Sequence, residues 1–509
     1  MRYAHVVAFI AAIASSTNAL AETYYVKQGG SDSADGLSHA SAWKTLSKVK
    51  SHSFQTGDDV YFLAGDQWDD RLVIDWSGTN ENRVIIGSYH MSNGSEIVGY
   101  PGNTRKPTFS GTYKQLGDKI NTATAIPSTQ YEALVEVKGN YVTVQDIRAI
   151  NSAGVGMSIT TKGGYHHAIF HNNEVDFTAG SSITLQRKSY SNIMRKNRMR
   201  RCVLSWKDGQ WNGPTWPVCS GAIGSKDNLI EENFVSESYG EGIVAFAVGS
   251  NGNTIRKNTI FANRSAAIYV DNASNTLVES NLILGEQHPG TYTTKEYNGG
   301  GLNLAVEEYV SNVSATGNIF RNNLIAHVKN CIGIIMQQGA RDAGHQVGGK
   351  FLGNTCVNTQ YNVRIFPEDK NIESIEIANN IFMNTALGSN ACEVGGAGNN
   401  IKFNNNFWTD LPSNSKCKSS NDITGQLTLK KATGWDKLVI SQLPLPDDFT
   451  PASGSSIANK GIPHADLQSD FFGMPRSTST DIGAINISAG NIAILSPPTG
   501  VSLSIISPL

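Results

Sequence analysis

The chain has little of what marks membrane, nucleic-acid-binding or zinc proteins. Beyond residue 21, no stretch approaches the ~18 uninterrupted apolar residues that a transmembrane helix needs. Charged residues make up 17% of the 509 residues, the net charge is -2 and there is no basic run, so no nucleic-acid partner is indicated. No Cys/His spacing resembles a zinc site. With 50 glycines and few long helical patterns, the composition favours an elongated all-β chain rich in turns.

The first 21 residues are expected to be an export signal. Arg2 gives a positive start, residues 6–14 form a short apolar core, and residues 19–21, Ala-Leu-Ala, are typical of a cleavage site. The mature chain would then begin near Glu22. It is expected to be a secreted or periplasmic monomer with no membrane insertion.

A repeat of the form apolar-x-x-Asn-x-apolar runs through most of the chain. It is clearest at residues 230–235, 255–260 and 278–283, whose asparagines are 25 and 23 residues apart. A period in the low twenties with short alternating Val/Ile/Phe segments predicts a solenoid in which each repeat is one coil of strands. Asn tolerates left-handed backbone and bonds to neighbouring main chain, so stacked asparagines are expected to form a ladder at a bend. Nine asparagines match the template: Asn173, Asn197, Asn233, Asn258, Asn281, Asn323, Asn354, Asn380 and Asn406.

On this repeat, the sequence resembles the right-handed parallel β-helix proteins of the pectate-lyase-like type over roughly residues 130–410. Gly36, Trp43, Gly57 and Asp58 add a resemblance to the opening of secreted β-helix lyases, hydrolases and epimerases. The resemblance implies an all-β, right-handed parallel β-helix solenoid. A cap must cover each open end of such a core.

The expected organisation follows from these segments. Residues 1–21 are the signal peptide, and residues 22–130 are the N-terminal cap and first irregular coils. Ser41 is the expected cap of a short helix in this part. Residues 131–408 are the regular β-helix that carries a groove, and residues 409–509 are an irregular C-terminal capping segment.

Six cysteines follow the signal segment, and an exported protein can oxidise them. Cys202 with Cys219 and Cys392 with Cys417 each flank a single loop, so these are the expected disulfides. Cys331 and Cys356 align with different walls of the coil and are expected to be buried free thiols.

Two long insertions interrupt the repeat and predict the walls of a groove. Asn197 and Asn233 are 36 residues apart, and Asn281 and Asn323 are 42 apart. The extra residues, about 204–219 and 286–300, leave the coil at the same point, three rungs or roughly 14 Å apart. Aromatic faces pack on sugar rings and cations pair with acidic groups, which favours a polysaccharide, including an acidic one, as the partner. The wall residues expected to bind it are Trp206, Lys207, Trp211, Trp216, His288, Tyr292 and Tyr297.

The strands between the walls supply the predicted floor. Aligning Ile183, Ile243, Ile268, Leu302 and Val363 as inward positions turns the residue after each of them outward. The outward set contains a polar patch, and an acidic pair lies in the turn before it. From these and from Glu307 we take as candidate catalytic residues Tyr269, Asp271, Glu237, Glu241, Glu307 and Arg364, and as a further substrate-binding residue Asn303.

Two reactions compete for this floor. Inverting hydrolysis needs two carboxylates about 6.5–9.5 Å apart, and Asp271 and Glu307 are expected at roughly 8 Å. Elimination from a uronic-acid chain needs a cation such as Arg364 or Lys207 to neutralise the sugar carboxylate, and a base such as Tyr269. The Tyr, Arg and Lys around the groove tilt the expectation slightly towards a lyase.

A third alternative is a non-catalytic adhesin that binds polysaccharide in the same groove, since fold alone does not decide activity. No cofactor is expected, although Glu237 with Asp271 could hold Ca²⁺. A close, partly buried titratable pair in the groove would favour an enzyme over a pure binder.

Overall fold

A computed structural model describes residues 21–114, 124–129, 131–160, 163–205, 218–285, 299–307, 314–342, 344–367, 369–385, 388–396, 398–431, 438, 440–478 and 480–487. Within these ranges the chain coils through three long parallel sheets, called sheets 1, 2 and 3 in the order in which each coil visits them. The architecture is a right-handed parallel β-helix, as predicted. The predicted signal segment, apart from Ala21, lies outside the described residues.

Short strands, most of them three to seven residues long, build the three sheets. Sheet 1 contains, in chain order, Thr23–Val26, Asp59–Leu63, Val84–Ser92, Ser95–Val98, Val142–Gln145, Ile169–His171, Ile193–Arg195, Leu229–Glu231, Thr254–Arg256, Leu277–Glu279, Ala315–Arg321, Val347–Leu352, Ile372–Ala378 and Ile401–Asn404. Sheet 2 contains Gln67–Trp68, Thr108–Ser110, Arg148–Ser152, Glu174–Thr178, Arg198–Arg200, Phe234–Ser236, Thr259–Phe261, Leu282–Leu284, Leu324–Ala326, Thr355–Val357, Ile381–Met383, Phe407–Trp408 and Ile423–Thr424. Sheet 3 contains Leu72–Ile74, Ala133–Val137, Val155–Ile159, Ile183–Leu185, Val218–Ile223, Glu241–Phe246, Ile268–Asp271, Leu302–Val306, Asn330–Met336, Tyr361–Ile365 and Cys392–Val394.

Period-two alternation places one column of apolar side chains from each sheet inside the coil. In sheet 1, for example, the residues in register at the centre of successive strands are fully buried: Phe170, Met194, Ile230, Ile255, Val278, Phe320 and Phe351. Burying each such side chain contributes about 1.5–3 kcal/mol, which offsets the entropy lost in ordering the strands.

The nine matched asparagines form one continuous ladder at the corner between sheets 1 and 2. The backbone N–H and the side-chain Nδ2 of Asn233 both donate to Oδ1 of Asn258, at 3.0 Å each, and the other links repeat this pattern. The ladder ends where Asn406 donates its N–H to Oδ1 of Asp422. The left-handed residue of each bend is the one before the ladder position, such as Glu232 (φ 56) and Lys257 (φ 56), and not the asparagine itself. The asparagine is there to satisfy buried main-chain groups.

A second, shorter ladder at the corner between sheets 3 and 1 was not predicted. Asn192 donates to Asn228, which donates to Asn253, at 2.8–3.0 Å. Thr276 takes the equivalent place in the next coil and donates its backbone N–H to Asn318. Because a threonine replaces the asparagine in this coil, a search of the sequence for a regularly spaced asparagine does not detect the second ladder.

The N-terminal cap contains the short helix Leu46–Ser51, whose Leu46 and Val49 are buried. Its N-cap is Thr45, which accepts from the N–H of Lys48, so the expectation of Ser41 as the cap was wrong. Trp43 stacks on Tyr24 at 4.7 Å and closes the end of the core. The second helix is Gln338–Asp342, and the short 3-10 turns are Asp369–Asn371, Gly388–Asn390, Ser415–Cys417, Ile440–Gln442 and Pro446–Phe449.

The C-terminal segment does more than close the end of the coil. Leu427, Leu429 and Ile482 pack in one cluster with Phe261 and Leu324 on the outer face of sheet 2, so the chain runs back along the solenoid. Arg476 joins the two parts because its guanidinium donates to Asn322 Oδ1, at 3.2 Å, and to main-chain carbonyls of the segment itself. Burial lowers the pKa of Arg476 to about 10.

The predicted disulfides Cys202–Cys219 and Cys392–Cys417 are both present, with Cα atoms 5.5 and 6.2 Å apart. The expectation of free thiols at Cys331 and Cys356 was wrong, because these residues form a third bridge. They do belong to different sheets, as expected. Both side chains point into the narrow core, however, where the two walls bring the Cα atoms within 6.0 Å. Among the described residues, no helix is long and apolar enough to cross a membrane.

Candidate active site

The outer face of sheet 3 carries the candidate chemistry. The predicted alignment of inward residues is confirmed, since Ile243 pairs with Ile268, Ile268 with Leu302, and Val363 follows through Ile332. The residue after each of them lies in an outward row, called the middle row. In order along the solenoid it holds Ser158, Thr184, Gly221, Val244, Tyr269, Asn303, Gly333, Arg364 and Glu393.

Both predicted insertions leave from the corner between sheets 2 and 3. One lies between the strands Arg198–Arg200 and Val218–Ile223, and the other between Leu282–Leu284 and Leu302–Val306. The two receiving strands are three places apart in sheet 3, as predicted. The wall residues Trp206, Lys207, Trp211, Trp216, His288, Tyr292 and Tyr297 lie outside the described residues.

Tyr269 is buried on this outer face. Its side chain is 5% exposed and packs in an apolar cluster with Val218, Val244, Ala266 and Ala305. Its hydroxyl donates to Oε1 of Glu307 at 2.7 Å. The floor is therefore more apolar and more enclosed around Tyr269 than its polar residues alone indicated.

Three of the predicted catalytic carboxylates change the pKa of the Tyr269 hydroxyl. Burial raises the pKa of Tyr269 well above its ordinary value, and the negative charges of Asp271, Glu241 and Glu307 raise it further. All three carboxylic residues are buried, with exposures of 0%, 4% and 6%. Tyr269 with Glu241, Asp271 and Glu307 is called the tyrosine–carboxylate cluster below. Glu241, Tyr269 and Asp271 lie in two successive strands of sheet 3, and Glu307 directly follows the next strand, Leu302–Val306.

Glu237 belongs to a different environment, although only four residues separate it from Glu241. It follows the sheet 2 strand Phe234–Ser236 in left-handed backbone (φ 57). Its carboxylate accepts from Nε of Arg200, at 3.0 Å, on the preceding coil. The corner thus directs Glu237 towards sheet 2 and lets Glu241 begin a sheet 3 strand.

Arg364 lies in the predicted row but at a distance from Tyr269. Two row positions, Asn303 and Gly333, stand between them, so Arg364 is three rungs or roughly 14 Å from Tyr269 along the sheet. Its Nε donates to Oε2 of Glu393 at 2.8 Å. Its guanidinium carbon lies 4.3 Å from the ring centre of Tyr361 and 4.6 Å from that of Phe366.

Sequence reasoning missed two asparagines near this face, Asn263 and Asn330. Asn263 is 6% exposed, and neither of its amide atoms has a hydrogen-bond partner in the described part of the chain. The same is true of Nδ2 of Asn303, a predicted binding residue that is 3% exposed, and of Oδ1 of Asn330. Asn263 lies in the turn before a strand of sheet 3, and Asn330 begins another strand of that sheet. Their positions in the repeat, just before or at the start of these strands, could have identified them from the sequence.

Within the described ranges, no group of three or more His, Cys, Asp or Glu residues has an arrangement that could hold a metal ion. The calcium hypothesis for Glu237 with Asp271 stays a prediction. The carboxylate of Glu237 is engaged by Arg200.

Comparison with known proteins identifies the fold. No protein-family model and no curated protein sequence matches the chain. Among solved structures, the chain is similar to pectate lyase Pel9A, with 12% identity, a TM-score of 0.52, and coverage of 91% of this chain and 96% of that one. It is also similar to XylC in complex with xylose (12%, 0.53, 91% and 98%) and to a GH136 lacto-N-biosidase from Eubacterium ramulus (12%, 0.50, 75% and 68%). At this identity the likeness establishes the parallel β-helix and not the reaction.

Proposed function

We propose that this protein is an exported carbohydrate-active enzyme, and specifically a glycoside hydrolase whose centre is the tyrosine–carboxylate cluster. The observation that carries the proposal is the convergence of three buried carboxylic residues on one buried phenol. Hydrolysis of a glycosidic bond requires such paired carboxylates, one as acid and one as base. A protein that only binds sugar needs aromatics and amides, and gains nothing from burying three acids together.

The surroundings favour distinct roles for two of the carboxylic residues. Asp271 is buried beside the phenol, and we assign it the role of the acid that protonates the leaving oxygen. Glu307 accepts the hydrogen bond of the Tyr269 hydroxyl, which orients its carboxylate, and we assign it the role of the base that takes a proton from water. The water oxygen then bonds to the sugar carbon as the bond to the leaving oxygen breaks.

The separation of these two residues favours inversion. Asp271 is paired with Ala305, which lies one rung away on the next coil. Glu307 comes two residues after Ala305 along the chain. One rung and two residues put the two Cα positions roughly 8 Å apart, a spacing that suits the carboxylate separation of about 6.5–9.5 Å with which an inverting enzyme leaves room for a water. Glu241 stands on the other side of Tyr269 as the third acid of the centre.

The same surroundings weigh against the lyase that the sequence slightly favoured. The ionised carboxylates of this cluster would repel the uronate group that a lyase must neutralise. The raised pKa of Tyr269 keeps its hydroxyl protonated, which makes it a poor base. Of the two expected neutralising cations, Arg364 is three rungs away and paired with Glu393, and Lys207 lies outside the described residues.

The class of substrate and the compartment rest on further support. The pectate lyase and the lacto-N-biosidase have the same fold, and XylC was solved with xylose, so a saccharide is the favoured substrate class. Three disulfides fit an oxidising compartment, as does the expected signal segment.

The test is to incubate the chain with a panel of neutral and acidic polysaccharides and to follow both new reducing ends and ultraviolet absorbance. We expect reducing ends without absorbance from a neutral member, and loss of at least about 100-fold in kcat for Asp271→Asn and for Glu307→Gln. Glu237→Gln is the matched control and should stay active. An absorbing, unsaturated product would identify a lyase instead. Sugar binding without cleavage of any substrate would identify a binding protein.

A further inference from the structure

Two consecutive histidines, His166 and His167, face each other at the corner between sheets 3 and 1. Their Nδ1 atoms are 2.8 Å apart, and their rings are nearly perpendicular, at 85°, with centres 5.0 Å apart. The sheet 3 strand that leads into this corner, Val155–Ile159, is four rungs or roughly 19 Å from the strand of Tyr269. The histidine pair is therefore separate from the tyrosine–carboxylate cluster.

The backbone explains why the two rings meet. Successive side chains of an extended chain point in opposite directions. His167 instead has left-handed backbone (φ 57), and this bend brings both rings to one side of the chain. The N–H of His166 donates to Oδ1 of Asn140 at 3.1 Å, and the N–H of His167 donates to the carbonyl of Tyr190 at 3.3 Å. Asn140 and Tyr190 belong to the preceding and the following coil, so the solenoid holds the pair from both sides.

Two tyrosines orient the imidazole rings. Tyr141 stacks on His167, with ring centres 4.8 Å apart and planes at 17°. Tyr190 lies against His166, also at 4.8 Å, with planes at 32°. Aromatic contacts of this kind are favourable and restrict ring orientation. Both histidines are only half-buried, so an ion from solvent can reach them.

The separation of the two nitrogens selects among metal ions. One proton between the Nδ1 atoms makes the hydrogen bond, and a cation can take its place when each ring carries its proton on Nε2. A cation about 2.0 Å from both nitrogens would have an N–metal–N angle of about 90°, which suits square-planar Cu²⁺. Tetrahedral Zn²⁺, at about 2.0–2.1 Å from each nitrogen, would need the nitrogens about 3.3 Å apart.

We propose that the Nδ1 atoms of His166 and His167 form a two-nitrogen site for Cu²⁺, with water completing the coordination. The guanidinium of Arg83 donates to the carbonyl of His167 and is 5.8 Å from the ring centre of Tyr141. Because this positive charge is close and there are only two protein ligands, we expect a Kd of about 1–10 µM and not a tighter one. The site does not depend on the proposed function.

The experiment uses the full chain, produced without a histidine tag, with one equivalent of copper sulfate near neutral pH. Electron paramagnetic resonance should show one Cu²⁺ coupled to two nitrogen nuclei, and calorimetric titration should give the Kd. His166→Phe keeps a ring against Tyr190, and His167→Asn keeps a residue type that tolerates left-handed backbone. Each variant should raise the Kd at least about tenfold.

The control is His90→Ala, which removes a half-buried histidine whose Nδ1 contacts the carbonyl of Gly99 and should match the wild type. Zn²⁺ should fail to displace Cu²⁺ from the wild type at equal concentration.

Three results would overturn the site. The first is copper bound equally well by the wild type and by either variant, which would mean an adventitious ion only, held by other histidines. The second is a wild-type spectrum without two coupled nitrogens, and the third is displacement of Cu²⁺ by equimolar Zn²⁺. Circular dichroism checks that each variant is folded. If His167→Asn disturbs the fold, His166→Phe decides alone, because the backbone of His166 is not left-handed.

Discussion

The hydroxyl of Tyr269 donates to the carboxylate of Glu307 at 2.7 Å, across 38 residues of sequence. The bond joins two adjacent coils, because Tyr269 pairs with Asn303 in the strand that ends just before Glu307. It exists because the repeat places positions from successive coils side by side. The same stacking brings Asp271 and Glu241 to the same phenol.

Removing the Tyr269 hydroxyl tests whether this bond serves catalysis. Tyr269→Phe keeps the buried ring and removes only the donor to Glu307, so the fold should persist. A hydrogen bond to a charged group is worth about 1.5–3 kcal/mol, which predicts a fall of about 10- to 100-fold in kcat/KM on the polysaccharide that the wild type cleaves. Full activity in Tyr269→Phe, with unchanged thermal stability, would remove the tyrosine from the mechanism. Tyr131→Phe, at an exposed tyrosine, is the control.

The asparagine ladder should contribute strongly to stability. Oδ1 of Asn258 accepts from the N–H and the Nδ2 of Asn233, and its own Nδ2 donates to the carbonyl of Ile230. Asn258→Ala leaves these buried groups unsatisfied, at about 1–3 kcal/mol each, so we predict a loss of about 3–5 kcal/mol in the free energy of unfolding. Denaturant unfolding followed by circular dichroism measures it. Asn421→Ala, at an exposed asparagine, should lose less than about 1 kcal/mol; equal losses in the two variants would contradict the structural role of the ladder.

The third disulfide gives a direct chemical prediction. Cys331 and Cys356 are 25 residues apart and bridge sheets 3 and 2 across the core. A non-reduced proteolytic digest should contain the two peptides linked, and alkylation of the unfolded, unreduced chain should label no thiol. Closing a loop of this length stabilises a chain by about 3 kcal/mol, so Cys331→Ala with Cys356→Ala should unfold at lower denaturant. Two labelled thiols per chain would restore the original expectation of free cysteines.

The coil and the register of its strands could be predicted from the sequence, but the environment of each side chain could not. A constant period aligned Ile243, Ile268 and Leu302 correctly, because insertions loop outward without shifting the strands. The period assigns a residue to a wall but gives no coil width, which is why Cys331 and Cys356 were placed apart. The burial of Tyr269 depends on Val218 and Ala305, which come from other coils and have no local signal. The sequence predicts Glu237 and Glu241 as an acidic pair, but the chain bends between them. The bend depends on the left-handed backbone of Glu237, which the residue type does not predict.

Asp59 provides a test of how a raised carboxyl pKa, caused mainly by burial, changes stability with pH. Burial raises its pKa from 3.8 to about 6 in the folded chain, at the start of the strand Asp59–Leu63. Between these values the unfolded chain holds fewer protons than the folded one, so stability falls as pH rises from about 4 to about 6 and then levels off. Asp59→Asn keeps the Oδ1 acceptor for the N–H of Ile85 and cannot ionise. Its Tm should therefore exceed that of the wild type by an amount that grows between pH 4 and pH 7, whereas Asp410→Asn, on the surface, should show no such trend. A Tm difference for Asp59→Asn that stays constant across this range would mean that the carboxyl of Asp59 does not titrate with a raised pKa in the fold.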